Sequence, residues 1–162
     1  MSLTNTKHTL VALVEDKPGV LNRVASLFRR RAFNIESIAV GRSEKPGLSR
    51  MTVVVDGNSA RVEQIRKQLD KLINVVRVTD ITAEDIVTRE LALIKVNATA
   101  VTRSEIMQIV DIFRANIVDV ASNSLTVEVT GDEDKVESML ELLRSFGVKE
   151  ISKTGKIALT RG

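Results

Sequence analysis

FNIESIAV, residues 33–40, returns as ANIVDVAS at residues 115–122. Asn34 and Asn116 stand 82 positions apart (116 − 34). DGNSARVEQI (56–65) returns as TGDEDKVESM (130–139), with Gly57 and Gly131 74 positions apart (131 − 57). The offset shrinks by eight positions (82 − 74) where the first copy carries a longer hairpin, residues 42–49, and the second turns at Ser122-Asn123-Ser124. Self-similarity at such a period is the mark of one supersecondary unit used twice.

Outward from that stretch, each copy alternates strand and helix signals. Residues 8–15 are a β-rich apolar run, and Val20, Leu21, Val24, Leu27 and Phe28 then recur at helical spacing. Residues 34–41 and 51–55 are strand-like and are joined through Lys45-Pro46-Gly47. Val62, Ile65, Leu69 and Leu72 form a second helical stripe after Gly57-Asn58-Ser59, and 75–81 closes the unit as a strand. The order is βαββαβ. In the second copy, 91–98 is strand-like and Thr102-x-x-Glu105 predicts a capping box ahead of Ile106, Ile109, Val110 and Phe113. Residues 117–121 and 125–130 predict strands, and Val136, Leu140, Leu143 and Phe146 a helix. Residues 150–159 predict one strand or a short hairpin around Gly155. The expected fold is α+β: two tandem ferredoxin-like βαββαβ units, residues 1–82 and 83–162, each an antiparallel sheet with helices on one face. Val53-Val54-Val55 puts apolar groups on both faces of its strand. The face away from the helices is therefore expected to lie open as a partner surface, in a homo-oligomer rather than with the halves covering one another.

Composition removes several function classes. Of 162 residues, 43% are hydrophobic and 28% charged, enough for a packed core. The net charge of +3, from 24 basic and 21 acidic residues, is too balanced to require a nucleic acid or an anionic membrane. The chain has no Cys, which excludes disulfides and thiolate metal sites and is compatible with a reducing compartment. No apolar run approaches the roughly 20 residues that span a bilayer, and no leader pattern opens the chain, so neither membrane insertion nor secretion is expected. Met1-Ser2-Leu3 carries no weight in the reading. Aromatics are 2%, without Tyr or Trp, which argues against a base-stacking sheet of the RNA-recognition kind. His8, the sole histidine, is expected to be exposed and has no nucleophile partner in sequence. Glu84-Asp85 and Asp132-Glu133-Asp134 read as a linker and a helix N-terminus rather than a metal site. Arg29-Arg30-Arg31 could form a phosphate or RNA patch, but cations in a helix's last turn also complement its dipole.

VEDKPGVLNRV (14–24) carries the ligand hypothesis. Asp16 is expected to cap the helix and Pro18 to sit in its first turn. Gly19 lets another molecule approach the backbone, and the first-turn amides with the helix dipole suit one carboxylate. A triphosphate does not fit, because the loop is short and lacks a Gly-Lys-Ser/Thr ending. At the matching positions the second copy has Ala100 and Val101, so the fold itself does not require Pro-Gly. Asn34 offers two donors and an acceptor, suited to an amino acid's ammonium and carboxylate.

E-D-x-P-G-x-L-x-R-V (15–24), F-x-x-R-x-F-N-I-E-S-I-x-V-G (28–41) and L-S-R-M-T-V-V-V (48–55) together resemble the regulatory small subunits of acetolactate synthase, also called acetohydroxyacid synthase. The resemblance covers nearly the whole chain and implies an ACT domain followed by a second ferredoxin-like domain. It implies a cytoplasmic, non-catalytic subunit without a cofactor of its own. Its catalytic partner would carry thiamine diphosphate, Mg and FAD. The small subunit would activate that partner and confer feedback inhibition by valine or another branched-chain amino acid. The implied effector site lies between two protomers. Asp16, Lys17, Pro18, Gly19, Val20 and Leu21 of one face Asn34, Ile35 and Val40 of the other, with Val20, Leu21 and Ile35 as aliphatic lining. Asp16 stands where the family often has Asn, and Ala32 where it usually has Gly; at positive φ that alanine would cost about 1 kcal/mol. Two other classes stay open at this point: an ACT-type amino-acid sensor serving another enzyme or a transcriptional regulator, and a nucleic-acid-binding ferredoxin-like protein.

Overall fold

The computed structural model describes residues 6–162; residues 1–5, with Met1-Ser2-Leu3 and the opening of the chain, lie outside the described residues. The first unit runs β1 (Thr6–Glu15), α1 (Val20–Arg30), β2 (Asn34–Arg42), β3 (Leu48–Gly57), α2 (Ser59–Asp70) and β4 (Val75–Asp80). The second runs β5 (Ile86–Asn97), α3 (Arg103–Ile112), β6 (Asn116–Val120), β7 (Ser124–Gly131), α4 (Glu133–Arg144) and β8 (Val148–Lys153), followed by β9 (Ile157–Thr160). The sheets order as β2-β3-β1-β4 and β6-β7-β5-β8, all antiparallel, with β9 pairing β5. This is the expected α+β fold of two ferredoxin-like units. The compact division falls at Val87/Thr88 and returns Lys156–Gly162 to the first unit. Residues 150–159 form neither one strand nor a hairpin: β8 ends at Lys153, and β9 leaves it to pair with β5.

Alternation explains the first core. Leu10, Ala12 and Val14 of β1 and Met51, Val53 and Val55 of β3 point to the helical side and meet Val24, Phe28, Val62, Ile65 and Leu69. Phe28 lies edge-on to Phe33, ring centres 6.3 Å apart. His8 continues the same alternation and, contrary to the expectation of exposure, is only 7% exposed. Its Nδ1 lies 2.9 Å from Asp80 Oδ2 and its Nε2 3.1 Å from Thr6 Oγ1. The opposite face also differs from expectation. Val54 is 3% exposed, and Thr9 and Thr52 beside it are buried. Within this unit the Lys156 amide donates to Ser37 Oγ on that face at 2.9 Å.

The second unit repeats the first down to its irregularities. Register shifts fall between Leu13 and Val14 and between Lys95 and Val96, and again after Ile35 and after Ile117. Each pair is 82 positions apart (95 − 13; 117 − 35). Ala32 (φ 56°) and Arg114 (φ 53°) share the left-handed turn that leaves the first helix of each unit. Asn58 and Asp132 cap the second helices, accepting from the Arg61 and Lys135 amides, each at 2.9 Å. The expected Thr102 capping box does not form. Thr102 Oγ1 instead accepts from the Thr99 amide at 2.8 Å and Thr99 Oγ1 from the Thr102 amide at 3.2 Å, a local exchange that takes up the hydroxyl. Phe146 lies just beyond α4 but still packs on the second core.

Candidate functional site

The loop from β1 to α1 is built from backbone conformation rather than from capping side chains. Gly19 is the N-cap of α1 at φ 85°, left-handed, and no side chain caps the helix. Asp16 is therefore not the cap, and Pro18 sits ahead of the helix, not in its first turn. The Asp16 amide is spent on Gly47 O at 2.8 Å, because the β2–β3 hairpin passes beside the loop. A Cβ at Gly19 would meet only Arg23 Nη1, at 3.5 Å, so glycine is required here by the sign of φ, not by crowding. The Val20 amide reaches Lys17 O at 3.4 Å, while the Gly19, Leu21 and Asn22 amides take no acceptor among the described residues. A left-handed entry with open amides at the positive end of a helix dipole can hold one carboxylate.

Arg23, Asn74, Glu15 and Arg42, which sequence reasoning did not single out, hold this loop together with the expected Lys17. Arg23 Nη2 donates to Asn74 Oδ1 at 2.7 Å, and Asn74 Nδ2 donates to Glu15 Oε2 at 2.6 Å. The Glu15 amide donates to Asn74 O at 2.8 Å, which Asn74 presents from its own left-handed turn (φ 72°). Lys17 Nζ is 3.1 Å from Glu15 Oε2. Lys17's hydrogen bond, then Asn74's, holds the Glu15 carboxyl below the usual range. Arg42 Nε lies 3.5 Å from Asp16 Oδ2, setting a cation against the charge that would repel a carboxylate. Arg23 Nε is buried and has no hydrogen-bond partner. The legible signal for Arg23 was its position four residues beyond Gly19, one helical turn on.

The structure divides the expected residues into two groups. Glu15 at the loop aligns with Leu48, whereas Asn34 aligns with Asp56 and through it with Lys7, at the other end of the sheet. Nine-residue β2 separates Asn34 from Arg42 by about 26 Å at ~3.3 Å per residue. Asp16, Lys17, Pro18, Gly19, Val20 and Leu21 thus lie together; Asn34 and Ile35 lie away from them, and Val40 lies towards the loop end of β2. Val20 is buried in the core and Ile35 packs against it, so their side chains are already engaged. Leu21 and Val40 are the exposed aliphatic groups. Among the described residues no group of three or more His, Asp or Glu is placed to hold a metal, and no helix is long and apolar enough to cross a membrane.

Comparison with known proteins gives the relationship. Residues 10–77 match the model of the AHAS small subunit-like ACT domain, and residues 89–162 that of the small subunit of acetolactate synthase. The chain is 55% identical to the acetolactate synthase small subunit of Mycobacterium bovis over 96% of its own length and 92% of that protein's. It is 51% identical to that of Mycolicibacterium smegmatis over 100% of its own length and 95% of that protein's. The crystal structure of the acetolactate synthase small subunit from Thermotoga maritima superposes with a TM-score of 0.89 at 46% identity, covering 97% of this chain and 98% of that one. On its sequence, its two domains and its fold, this chain belongs to the acetolactate synthase small-subunit family.

Proposed function

We propose that this chain is the regulatory subunit of an acetolactate synthase. It activates a catalytic subunit that carries thiamine diphosphate, Mg and FAD, and it transmits feedback inhibition by valine or another branched-chain amino acid. The first unit is the effector-binding and dimerising ACT domain, and the second completes the small-subunit architecture. The observation that carries this reading is the left-handed Gly19 entry to α1, which lies beside open first-turn amides and has no counterpart at Thr102 of the second unit.

The effector site is completed by a second copy. β2 is an edge strand of its sheet, nine residues long. Antiparallel pairing of two β2 edges about Ile38 sets Asn34 of one protomer opposite Arg42 of the other, beside the Asp16–Gly19 loop. A span of about 26 Å thereby becomes a contact, and both sites of the dimer are made at once by its two-fold axis. The loop amides take the carboxylate, Asp16 and Asn34 the ammonium, and Leu21 and Val40 the aliphatic side chain. An apolar wall separates valine, leucine and isoleucine by only about 1–3 kcal/mol per methylene. Effector and catalytic subunit favour different arrangements of the dimer, with a coupling of about 1–3 kcal/mol.

The test is reconstitution. Adding the chain to a purified acetolactate synthase catalytic subunit with its cofactors is expected to raise acetolactate formation, and valine to lower it again. Gly19→Asp is expected to keep the activation and lose the response to valine. No activation, with no co-purification of the two subunits, would contradict the reading and leave an ACT-type sensor serving another enzyme.

A further inference from the structure

The groove between α1 and α2 holds cations that no carboxylate answers. Arg30, Arg31 and Arg61 line a hollow of about 290 Å³ whose apolar floor includes Ile65 and Phe33. An adjoining hollow shares Arg30 and Arg31 and adds Lys71. Neither is lined by Asp or Glu. Two of the guanidiniums are held in place by neutral partners, which fix their position without cancelling their charge. Arg31 Nε donates to Gln68 Oε1 at 2.9 Å, and Arg61 Nη2 donates to Arg31 O at 2.8 Å. Arg61 also stacks 4.7 Å from the centre of the Phe33 ring. The Arg30 side chain makes no hydrogen bond or ion pair among the described residues.

Two ordinary explanations fall short. Basic residues at the end of α1 complement its dipole, which accounts for Arg29 and Arg30. Arg61, however, reaches in from the first turn of α2, where the dipole disfavours a cation. A folding requirement also fails, because the second unit builds the same groove from other residues. Ile112 and Phe113 stand 82 positions beyond Arg30 and Arg31, and Leu142 and Ser145 stand 74 beyond Gln68 and Lys71. Ile112 is 76% and Leu142 50% exposed, so the second unit keeps a cation only at the position matching Arg61, Lys135, whose Nζ donates to Thr130 O at 3.0 Å.

We propose that the α1–α2 groove of the first unit binds a phosphate-bearing small molecule, with Arg30 and Arg61 donating to its non-bridging oxygens. Planar guanidiniums match phosphate oxygens in paired hydrogen bonds, and a half-open hollow of this size takes a phosphate or diphosphate rather than a polynucleotide track. The site is independent of the amino-acid site at Gly19.

Calorimetric titration of the full chain with pyrophosphate at low salt tests it. Saturable binding of one pyrophosphate per chain is expected, weakening as salt is added. Arg30→Gln is expected to lower the affinity at least tenfold while shifting thermal unfolding little, since the Arg30 side chain makes no hydrogen bond or ion pair among the described residues and Arg29 still complements the α1 dipole. Arg61→Gln is expected to abolish binding, and valine binding is expected to stay the same in Arg30→Gln. Absence of saturable heat would overturn the proposal, as would an affinity unchanged in both variants. A single-stranded RNA that bound more tightly than pyrophosphate, and weakened equally in Arg30→Gln, would replace it with a nucleic-acid surface.

Discussion

The first unit enters its first helix through Gly19 at φ 85°, and the second enters through Thr102 at φ −88°. Apart from the longer β2–β3 hairpin of the first unit, the two backbones keep step in two bulges, in the left-handed turn after the first helix and in the cap of the second. The Glu15 amide donates to Asn74 O as the Asn97 amide, 82 positions on (97 − 15), donates to Gly147 O, both at 2.8 Å. What both units share is what the fold needs. What only the first carries is the Pro-Gly entry, the Arg23–Asn74–Glu15 relay and the cationic groove, and these are where function can be sought. The internal repeat thus serves as a control built into one chain.

The largest effect tests the cores. Phe28→Ala is expected to cost about 3–5 kcal/mol in urea unfolding, since Phe28 is fully buried and meets the Phe33 ring edge-on. Val110→Ala, at the matching place in the second unit, removes less volume and should cost clearly less. Equal losses would mean that the first core is not organised around Phe28.

The entry loop comes next. Gly19→Asp is expected to weaken valine binding at least a hundredfold, about 2.7 kcal/mol, by putting charge and bulk at the amides and an L-residue at positive φ. Val101→Asp, at the matching and 82% exposed position, should leave valine binding untouched. Calorimetry on both variants would break the comparison if Val101→Asp weakened binding as much.

A third contrast is electrostatic. Burial pushes the Asp80 carboxyl up, but the Thr82 hydroxyl and amide, then His8, outweigh it and hold it below the usual range. At the position matching His8 the second unit has Glu90, whose buried Oε1 finds no partner. A carboxyl lowered on folding stabilises above its unfolded pKa, about 4, and that contribution fades as pH falls through the lowered value. Asp80→Asn is expected to cost about 1–2 kcal/mol at pH 7, with the gap to the parent protein closing in acid. A gap constant from pH 7 to pH 2 would contradict the assignment.

The smallest effect is a gain. Ala32 and Arg114 both hold left-handed backbone where glycine is at ease. Ala32→Gly and Arg114→Gly should each stabilise by about 0.5–1 kcal/mol, the relief of strain less the added freedom of the unfolded glycine. A loss at Ala32 would mean that its methyl group packs.

Much of this was legible from residues alone, because a duplicated pattern of alternation and helical spacing constrains topology strongly. The βαββαβ order, the break at Gly57-Asn58-Ser59 before the second helix and the strand beginning at Asn34 all follow from spacing. Burial of His8 was also legible, since it continues the alternation of Leu10, Ala12 and Val14, but its nearness to the chain's start suggested exposure. The caps were less legible. Asp16 and Thr102 have the right chemistry, yet the loop is closed by Gly19's conformation in one unit and a threonine pair in the other. Pairings distant in sequence, such as β9 with β5 or Arg23 with Asn74, leave no periodic trace. Of the expected site, the loop was read as a unit, but the engagement of Val20 and Ile35 in the core needed the packed structure.

The claim that one effector spans two protomers can be tested by mixing two inactive forms. Gly19→Asp spoils the loop and Asn34→Ala spoils the opposite wall, so neither variant alone should bind valine. In a mixed dimer one site combines both defects and the other has neither. After subunit exchange in an equal mixture, calorimetry should recover about a quarter of the parent's valine-binding capacity. No recovery with exchange verified, or near-full binding by either variant alone, would contradict the shared site.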